Sequence, residues 1–138
     1  MQRSVVMMAA WLEIVAGAAF LTSPDLLCRL FFSVKPEGAG TLLARFAAVA
    51  LLALGIACLP STVTGSNRSA VFGLFVFNLG VAILFAMAGL ATTFRGVLLW
   101  PALALHAVVA SALLPQLLTF KTIGLSSNVK RGLALRNL

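Results

Sequence analysis

Charged residues are scarce in this sequence, and tyrosine is absent. Of the 138 residues, 9% are charged and 62% are hydrophobic, whereas about a quarter of the residues in a soluble domain are charged. So few charges cannot cover a surface that faces water. The composition therefore excludes a soluble globular domain and places the chain among membrane proteins. No glycine-rich loop follows a strand pattern, so nucleotide binding is not indicated.

Cysteine is also rare. The chain contains Cys28 and Cys58, which do not form a CxxC pair. Because the predicted topology puts them at opposite faces of the membrane, we expect no disulfide between them. No group of His, Cys and Asp residues has the spacing of a metal site, so no metal is predicted. We interpret both cysteines as small apolar residues.

Acidic residues are few. The chain has three acidic and ten basic residues, which gives a net charge of +7. In a soluble protein this charge would suggest nucleic-acid binding, but the aromatic residues here lie in or beside apolar runs and form no stacking platform. Basic residues that flank apolar stretches are typical of membrane proteins and bind anionic lipid head groups. We therefore predict a lipid partner and no nucleic acid.

Four apolar stretches are long enough to cross about 30 Å of hydrocarbon as helices. They cover approximately residues 5–21, 41–59, 70–90 and 96–118. The sequence thus predicts one all-α domain, an integral membrane four-helix bundle over residues 1–138, with a basic C-terminal tail at 119–138. The first stretch resembles a signal peptide in its basic start and apolar middle, but Glu13 at its centre favours a retained span.

A short helix is predicted between the first two spans. Ser23 suits the N-cap, Pro24 suits the first helical position, and Asp25 suits the positive end of a helix. The segment that follows, up to Val34, has apolar residues on one face at helical spacing. This pattern fits a helix that lies in the membrane interface, and it equally fits a helical connection packed on the bundle.

The distribution of basic residues predicts the orientation. Four spans place both termini on one side of the membrane. The N-terminal segment, the middle loop and the tail hold six of the ten basic residues, and the opposite side holds four. Because positive charge is enriched on the cytoplasmic side, we expect both termini in the cytoplasm.

Strongly polar side chains fall inside the predicted spans at four positions: Glu13, Arg45, Asn78 and His106. A charged group at membrane depth costs at least about 2.5–3.5 kcal/mol, so such groups usually face the bundle interior. Counted at about 1.5 Å per residue from the inner helix ends, Glu13, Asn78 and His106 differ in depth by roughly 6 Å. We therefore predict one ligand or coupling site near the midplane, which Arg45 reaches with its long side chain.

Two roles are open for this cluster. In the first, a Glu–Arg or Glu–His tie orients two helices and is purely structural. In the second, the cluster is a proton- or cation-linked site, because histidine titrates near neutrality. No catalytic residue is predicted, since the sequence shows no base and acid arranged around Ser111. No cofactor is predicted either. His106 is the residue that would ligate a haem, and a symmetric dimer would have to supply the second ligand.

The stretch Leu12-Glu-Ile-Val-Ala-Gly17 resembles the first span of the small multidrug resistance transporters. Those transporters are short four-span proteins in which one membrane-embedded glutamate exchanges protons for cationic drugs. The resemblance implies this role for Glu13. It is confined to the first span, because the aromatic- and glycine-rich pattern of that family's third span is missing here.

The overall layout is similar to the DoxX-like group of small bacterial four-span proteins. The shared features are Gly17, a Pro-Asp-Leu-Leu segment after the first span, a Gly-rich turn before the second, and Trp-Pro with a later His in the fourth. The resemblance implies the fold and a bacterial cytoplasmic (inner) membrane location. It implies little about function, because the biochemical roles of the group are mostly unassigned.

From these features we expect a small non-enzymatic integral membrane protein, which is an accessory or scaffolding subunit. Besides lipid, the expected partners are a second copy of the chain or a larger membrane complex. The alternative is a small proton- or cation-coupled transporter that acts as a dimer, with Glu13 as its coupling group. A third interpretation is a haem or quinone membrane anchor that uses His106.

Overall fold

The computed structural model describes the backbone of residues 2–59, 68–91 and 94–136, and the side chains of residues 4–59, 68–91 and 94–118. These residues form five α-helices and no strand. The helices are α1 (Gln2–Thr22), α2 (Pro24–Phe32), α3 (Ala39–Cys58), α4 (Arg68–Leu90) and α5 (Leu99–Arg136). The all-α class that the sequence predicts is confirmed.

Four of these helices are long and apolar enough to cross a membrane. Their apolar segments are Ser4–Thr22, Ala39–Cys58, Arg68–Leu90 and Leu99–Leu118. They correspond to the four predicted stretches and differ from them by a few residues at the ends. The number and order of the long helices therefore follow from the apolar pattern alone.

The last helix, α5, begins later than predicted and also extends further. The backbone N–H of Leu98 donates to the Leu30 carbonyl at 2.9 Å, and a Cβ on Gly96 would overlap the Phe31 backbone. This contact with α2 keeps residues 94–98 out of the helix. α5 then passes through Pro115 and continues to Arg136, so the backbone of the predicted basic tail is helical up to that residue.

The long helices pack as two antiparallel hairpins, α1 with α3 and α4 with α5. In the first hairpin, two glycines let the backbones approach closely. A Cβ on Gly17 would lie 2.8 Å from the carbonyl oxygen of Ala48, and a Cβ on Gly55 would lie 2.7 Å from that of Ala10. Small residues at helix contacts are typical of helices that associate in membranes.

The two hairpins share an apolar core at one end of the bundle. We call this the N-terminal end, because it holds the starts of α1 and α4. The buried core residues are Val6, Ala9, Ala10, Cys58, Val71, Leu74 and Leu113. Since they come from all four long helices, apolar packing joins the hairpins at this end.

The opposite end is built around α2, and we call it the α2 end. Phe31 of α2 contacts Phe20 of α1 with ring centroids 5.5 Å apart, and Phe31 and Phe32 each lie 5.8 Å from Phe85 of α4. Ser23 occupies the predicted N-cap position, but its side chain makes no capping hydrogen bond. α2 thus packs on the bundle, and a membrane interface for its outer face stays a prediction.

Both cysteines are free thiols. Cys58 lies in the apolar core, with its Sγ 3.7 Å from the Ala70 carbonyl oxygen. Cys28 lies in α2 at the other end of the bundle, where burial and then the Asp25 carboxylate raise the pKa of its thiol. A raised pKa keeps the thiol protonated, which suits the interpretation of Cys28 as a small apolar residue.

We predict that Gly55→Ala lowers stability, because the added methyl would press against the Ala10 carbonyl and force α1 away from α3. Overpacking of this kind costs about 1–3 kcal/mol. The matched control is Gly80→Ala in α4, where nothing lies within 4 Å of an added Cβ and alanine favours the helix by roughly 0.5–1 kcal/mol. Thermal unfolding in mild detergent measures both. Equal midpoints for the two variants would contradict the close contact of α1 and α3.

Candidate functional site

Three of the predicted site residues, Glu13, Asn78 and His106, form one hydrogen-bonded network inside the bundle, which we call the polar triad. Asn78 Nδ2 donates to Glu13 Oε1 at 3.3 Å, and Asn78 Oδ1 lies 2.7 Å from His106 Nδ1. Glu13 and Asn78 are fully buried, and His106 is half-buried. Because the three residues come from α1, α4 and α5, the network connects the two hairpins.

The Leu74 carbonyl fixes the orientation of the Asn78 side chain. Asn78 Nδ2 donates to this carbonyl at 2.9 Å, and a carbonyl oxygen can only accept. The amide nitrogen must therefore face Leu74 and Glu13, which leaves Oδ1 facing His106. Since Oδ1 can only accept, His106 Nδ1 carries a proton and donates it. In a neutral imidazole the lone pair then resides on Nε2.

The two carboxylate oxygens of Glu13 have different surroundings. Oε1 accepts the hydrogen bond from Asn78, whereas Oε2 is buried and has no hydrogen-bond partner. A buried polar atom without a partner costs about 1–3 kcal/mol, and a charged one costs more. Oε2 is thus the position in the triad where a proton, a cation or a donor group would be stabilising.

Phenylalanine rings connect the polar triad to the α2 end. The His106 ring lies edge-on to Phe77 and Phe85, with centroid distances of 6.2 and 6.0 Å. Phe85 also contacts both Phe31 and Phe32 of α2. These contacts hold the imidazole plane from two sides, so His106 has little freedom to turn away from Asn78.

Arg45 does not join the polar triad, contrary to the reach that we predicted for it. Ala48 faces Gly17 and Gly55 faces Ala10, so Arg45 lies roughly 10–15 Å along the helix axis from the level of Glu13. It is exposed and lines a cleft at the α2 end. Because Arg45 is close to the start of α3, placing its charge at the α2 end costs less free energy than placing it at the centre of the bundle.

Sequence reasoning missed Gln116, a buried polar residue of α5. It is 4% exposed, its Nε2 donates to the Ala112 carbonyl at 3.4 Å, and its Oε1 has no partner. It shares a helix face with His106, Ala110 and Leu113, at successive spacings of four, three and three residues. This spacing from His106 was the signal that could have identified Gln116.

The structure also defines the surroundings of the side chains that metal, nucleophilic or haem chemistry would use. In the part of the chain that the structure describes, no three His, Cys, Asp or Glu side chains come together as a metal site. Ser111 is exposed, and its Oγ donates to the Ala107 carbonyl of its own helix at 2.8 Å. With Nδ1 of His106 donating to Asn78, a haem would have to bind Nε2, and that role stays a prediction.

Comparisons with known proteins gave no match to any family model, curated protein or solved structure. The resemblances to the DoxX-like group and to the small multidrug resistance transporters therefore stay predictions.

We predict that Asn78→Leu destabilises the protein, because the buried Glu13 Oε1 and the half-buried His106 Nδ1 both lose their hydrogen-bond partner. Each loss costs about 1–3 kcal/mol. Ser111→Ala is the matched control, since its hydroxyl is exposed and such a surface change stays within about 0.5 kcal/mol. Denaturant unfolding of the purified protein measures the difference.

A double variant tests whether the effect arises from the network itself. Glu13→Leu combined with Asn78→Leu removes both partners of one hydrogen bond, so its cost should be smaller than the sum of the two single costs. Strictly additive costs would contradict a direct contact between Glu13 and Asn78.

Proposed function

We propose that the chain is an integral membrane protein whose four long helices cross the bilayer. The support is its inverted distribution of polarity. Glu13 and Asn78 are fully buried, whereas Phe46 and Leu42 are 72% and 70% exposed. Large exposed apolar faces are unfavourable in water but are the normal surface of a helix in lipid, where the helix satisfies its own backbone hydrogen bonds.

We further propose that the protein is non-enzymatic and acts as an accessory or scaffolding subunit of a membrane complex. The polar triad between the two hairpins is the observation that carries this proposal. Close packing holds each hairpin internally, and the Asn78 amide holds one hairpin against the other through its directional hydrogen bond to Glu13. Two hairpins fixed in this way present outer helix faces of constant shape, which is what a scaffold offers to partner chains.

The proposed location is the bacterial cytoplasmic membrane, with both termini in the cytoplasm. The alternating directions of the four long helices place residues 2 and 118 at the same end of the bundle. The excess of basic residues in the segments assigned to that side supports a cytoplasmic orientation. The similarity of the layout to the DoxX-like group supports a bacterial membrane.

We expect the protein to stay in the membrane fraction during alkaline carbonate washing and to leave it only with detergent. Native purification in mild detergent, followed by mass spectrometry, should recover a partner chain in fixed ratio. Asn78→Leu should weaken this association because the hairpins lose their fixed arrangement, and Ser111→Ala should retain it.

Two results would contradict these proposals separately. Release of the protein by carbonate would overturn the membrane assignment. A homodimer without other chains, recovered from native membranes, would overturn the scaffold proposal and would favour the second candidate described next.

A proton- or cation-coupled transporter that acts as a dimer is the second candidate, and Glu13 Oε2 is the observation that favours it. Oε1 is held by Asn78, while Oε2 has no partner. A proton or cation that exchanges at Oε2 would change the charge of the polar triad without breaking the bond at Oε1. The resemblance of the first span to the small multidrug resistance transporters implies the same residue.

For this second candidate, we expect tetraphenylphosphonium to bind the detergent-solubilised protein and to displace a proton from Glu13. Glu13→Gln should abolish the proton release while leaving the unfolding midpoint nearly unchanged, because glutamine keeps an acceptor oxygen for Asn78. Arg45→Gln is the matched control, since Arg45 lies outside the triad. Calorimetric titration in two buffers of different ionisation enthalpy measures the proton release. Equal heats in both buffers would rule out proton-coupled binding and leave the scaffold proposal standing.

A further inference from the structure

A cleft at the α2 end collects side chains of both charges. Its volume is about 710 Å³, and it lies between the end of α1, the start of α2 and the start of α3. Asp25, Lys35, Glu37 and Arg45 line it. Asp25 and Glu37 are the only acidic residues of the chain besides Glu13. The two acids outside the polar triad therefore share one open volume with two cations.

The cleft is electrically balanced, although the chain as a whole carries a charge of +7. All four charged side chains are exposed, and within the described part of the chain none of them forms an ion pair. A ligand of one charge would satisfy one pair of side chains and repel the other. A ligand that carries both charges a short distance apart can satisfy both pairs.

Arg45 and Glu37 also differ in depth along the bundle axis. Arg45 lies six residues after Ala39, which is roughly 9 Å further toward the bundle centre than the start of α3. Glu37 precedes the helix and lies further out. Leu26, which is 55% exposed, adds an apolar side chain to the lining. In a phospholipid the phosphate is likewise nearer to the acyl chains, and an ammonium head group lies beyond it.

We propose that this cleft binds the phosphoethanolamine head group of a zwitterionic phospholipid. Arg45 and Lys35 bind the phosphate, and Asp25 and Glu37 accept hydrogen bonds from the primary ammonium. The volume falls within the roughly 300–1,000 Å³ of small-molecule sites. The inference rests on the proposed membrane location of the four helices. It names a lipid that differs from the anionic lipids expected to bind the basic tail.

The test is lipid competition on the full chain in mild detergent. Equimolar palmitoyl-oleoyl phosphatidylethanolamine, phosphatidylcholine and phosphatidylglycerol are added, and the bound lipid is identified by native mass spectrometry. We expect phosphatidylethanolamine to be retained in preference to both others. Choline offers no N–H donor to the carboxylates, and phosphatidylglycerol leaves both acids without a cation.

Matched variants assign the roles of the charged side chains. Glu37→Gln should lower the ratio of bound phosphatidylethanolamine to phosphatidylcholine by about two- to fivefold, as expected for one partly exposed charge pair. Arg45→Gln should weaken the binding of all three lipids. Arg95→Gln is the control, because Arg95 is exposed near the same end and does not line the cleft. All three are surface changes, and an unaltered unfolding midpoint verifies that each variant folds.

Specific results would overturn the inference. Equal retention of phosphatidylethanolamine and phosphatidylcholine, or a preference that Glu37→Gln leaves undiminished, would exclude recognition of the ammonium by the carboxylates. Displacement of the lipid by micromolar free phosphoethanolamine would identify a soluble zwitterion as the ligand instead of a lipid. Release of the chain from membranes by carbonate would instead remove the membrane assignment, so the two failures are distinguishable.

Discussion

The Asn78 side chain is the constraint on which the arrangement of the bundle depends. Its amide has a donor end and an acceptor end, and the Leu74 carbonyl decides which neighbour each end faces. Glu13 must then lie on the donor side and His106 on the acceptor side. A slide of one hairpin against the other would separate Asn78 from Glu13 and leave the buried Glu13 Oε1 without its partner, at about 1–3 kcal/mol. Apolar packing tolerates small shifts better than directional bonds do, so the amide sets the register between the hairpins.

The four long helices and the three residues of the polar triad could be predicted, because they depend on apolar length and on position along a helix, which can be read from the sequence. The number of helices follows from the length of the apolar stretches, and the depth of a residue follows from its distance to the helix end. Glu13, Asn78 and His106 all lie near the middle of long apolar helices. At that depth a polar side chain costs least free energy when it faces the bundle interior.

The remaining features depend on contacts between elements, which apolar periodicity does not determine. Arg45 lies near the start of α3, where its long side chain can extend either toward the bundle interior or toward the α2 end. The sequence therefore did not determine which way it points. The late start of α5 results from the contact of Gly96 with the Phe31 backbone, two residues far apart in the sequence. Gln116 is uncharged and lies near the expected end of a span, and only its spacing from His106 marked it as buried.

The two proposed functions both depend on the polar triad, and they differ in its chemistry at Glu13 Oε2, where only the transporter requires a proton or cation to bind and leave. The amide that fixes the hairpins is also the group that contacts the carboxylate, so a change of charge at Glu13 acts first on Asn78 and then on His106. From His106 the ring contacts lead through Phe85 to α2. The core at the N-terminal end contains no residue of the polar triad. A triad with constant charge is therefore a brace between hairpins. A triad with variable charge would transmit its state toward the α2 end, where the charged cleft lies.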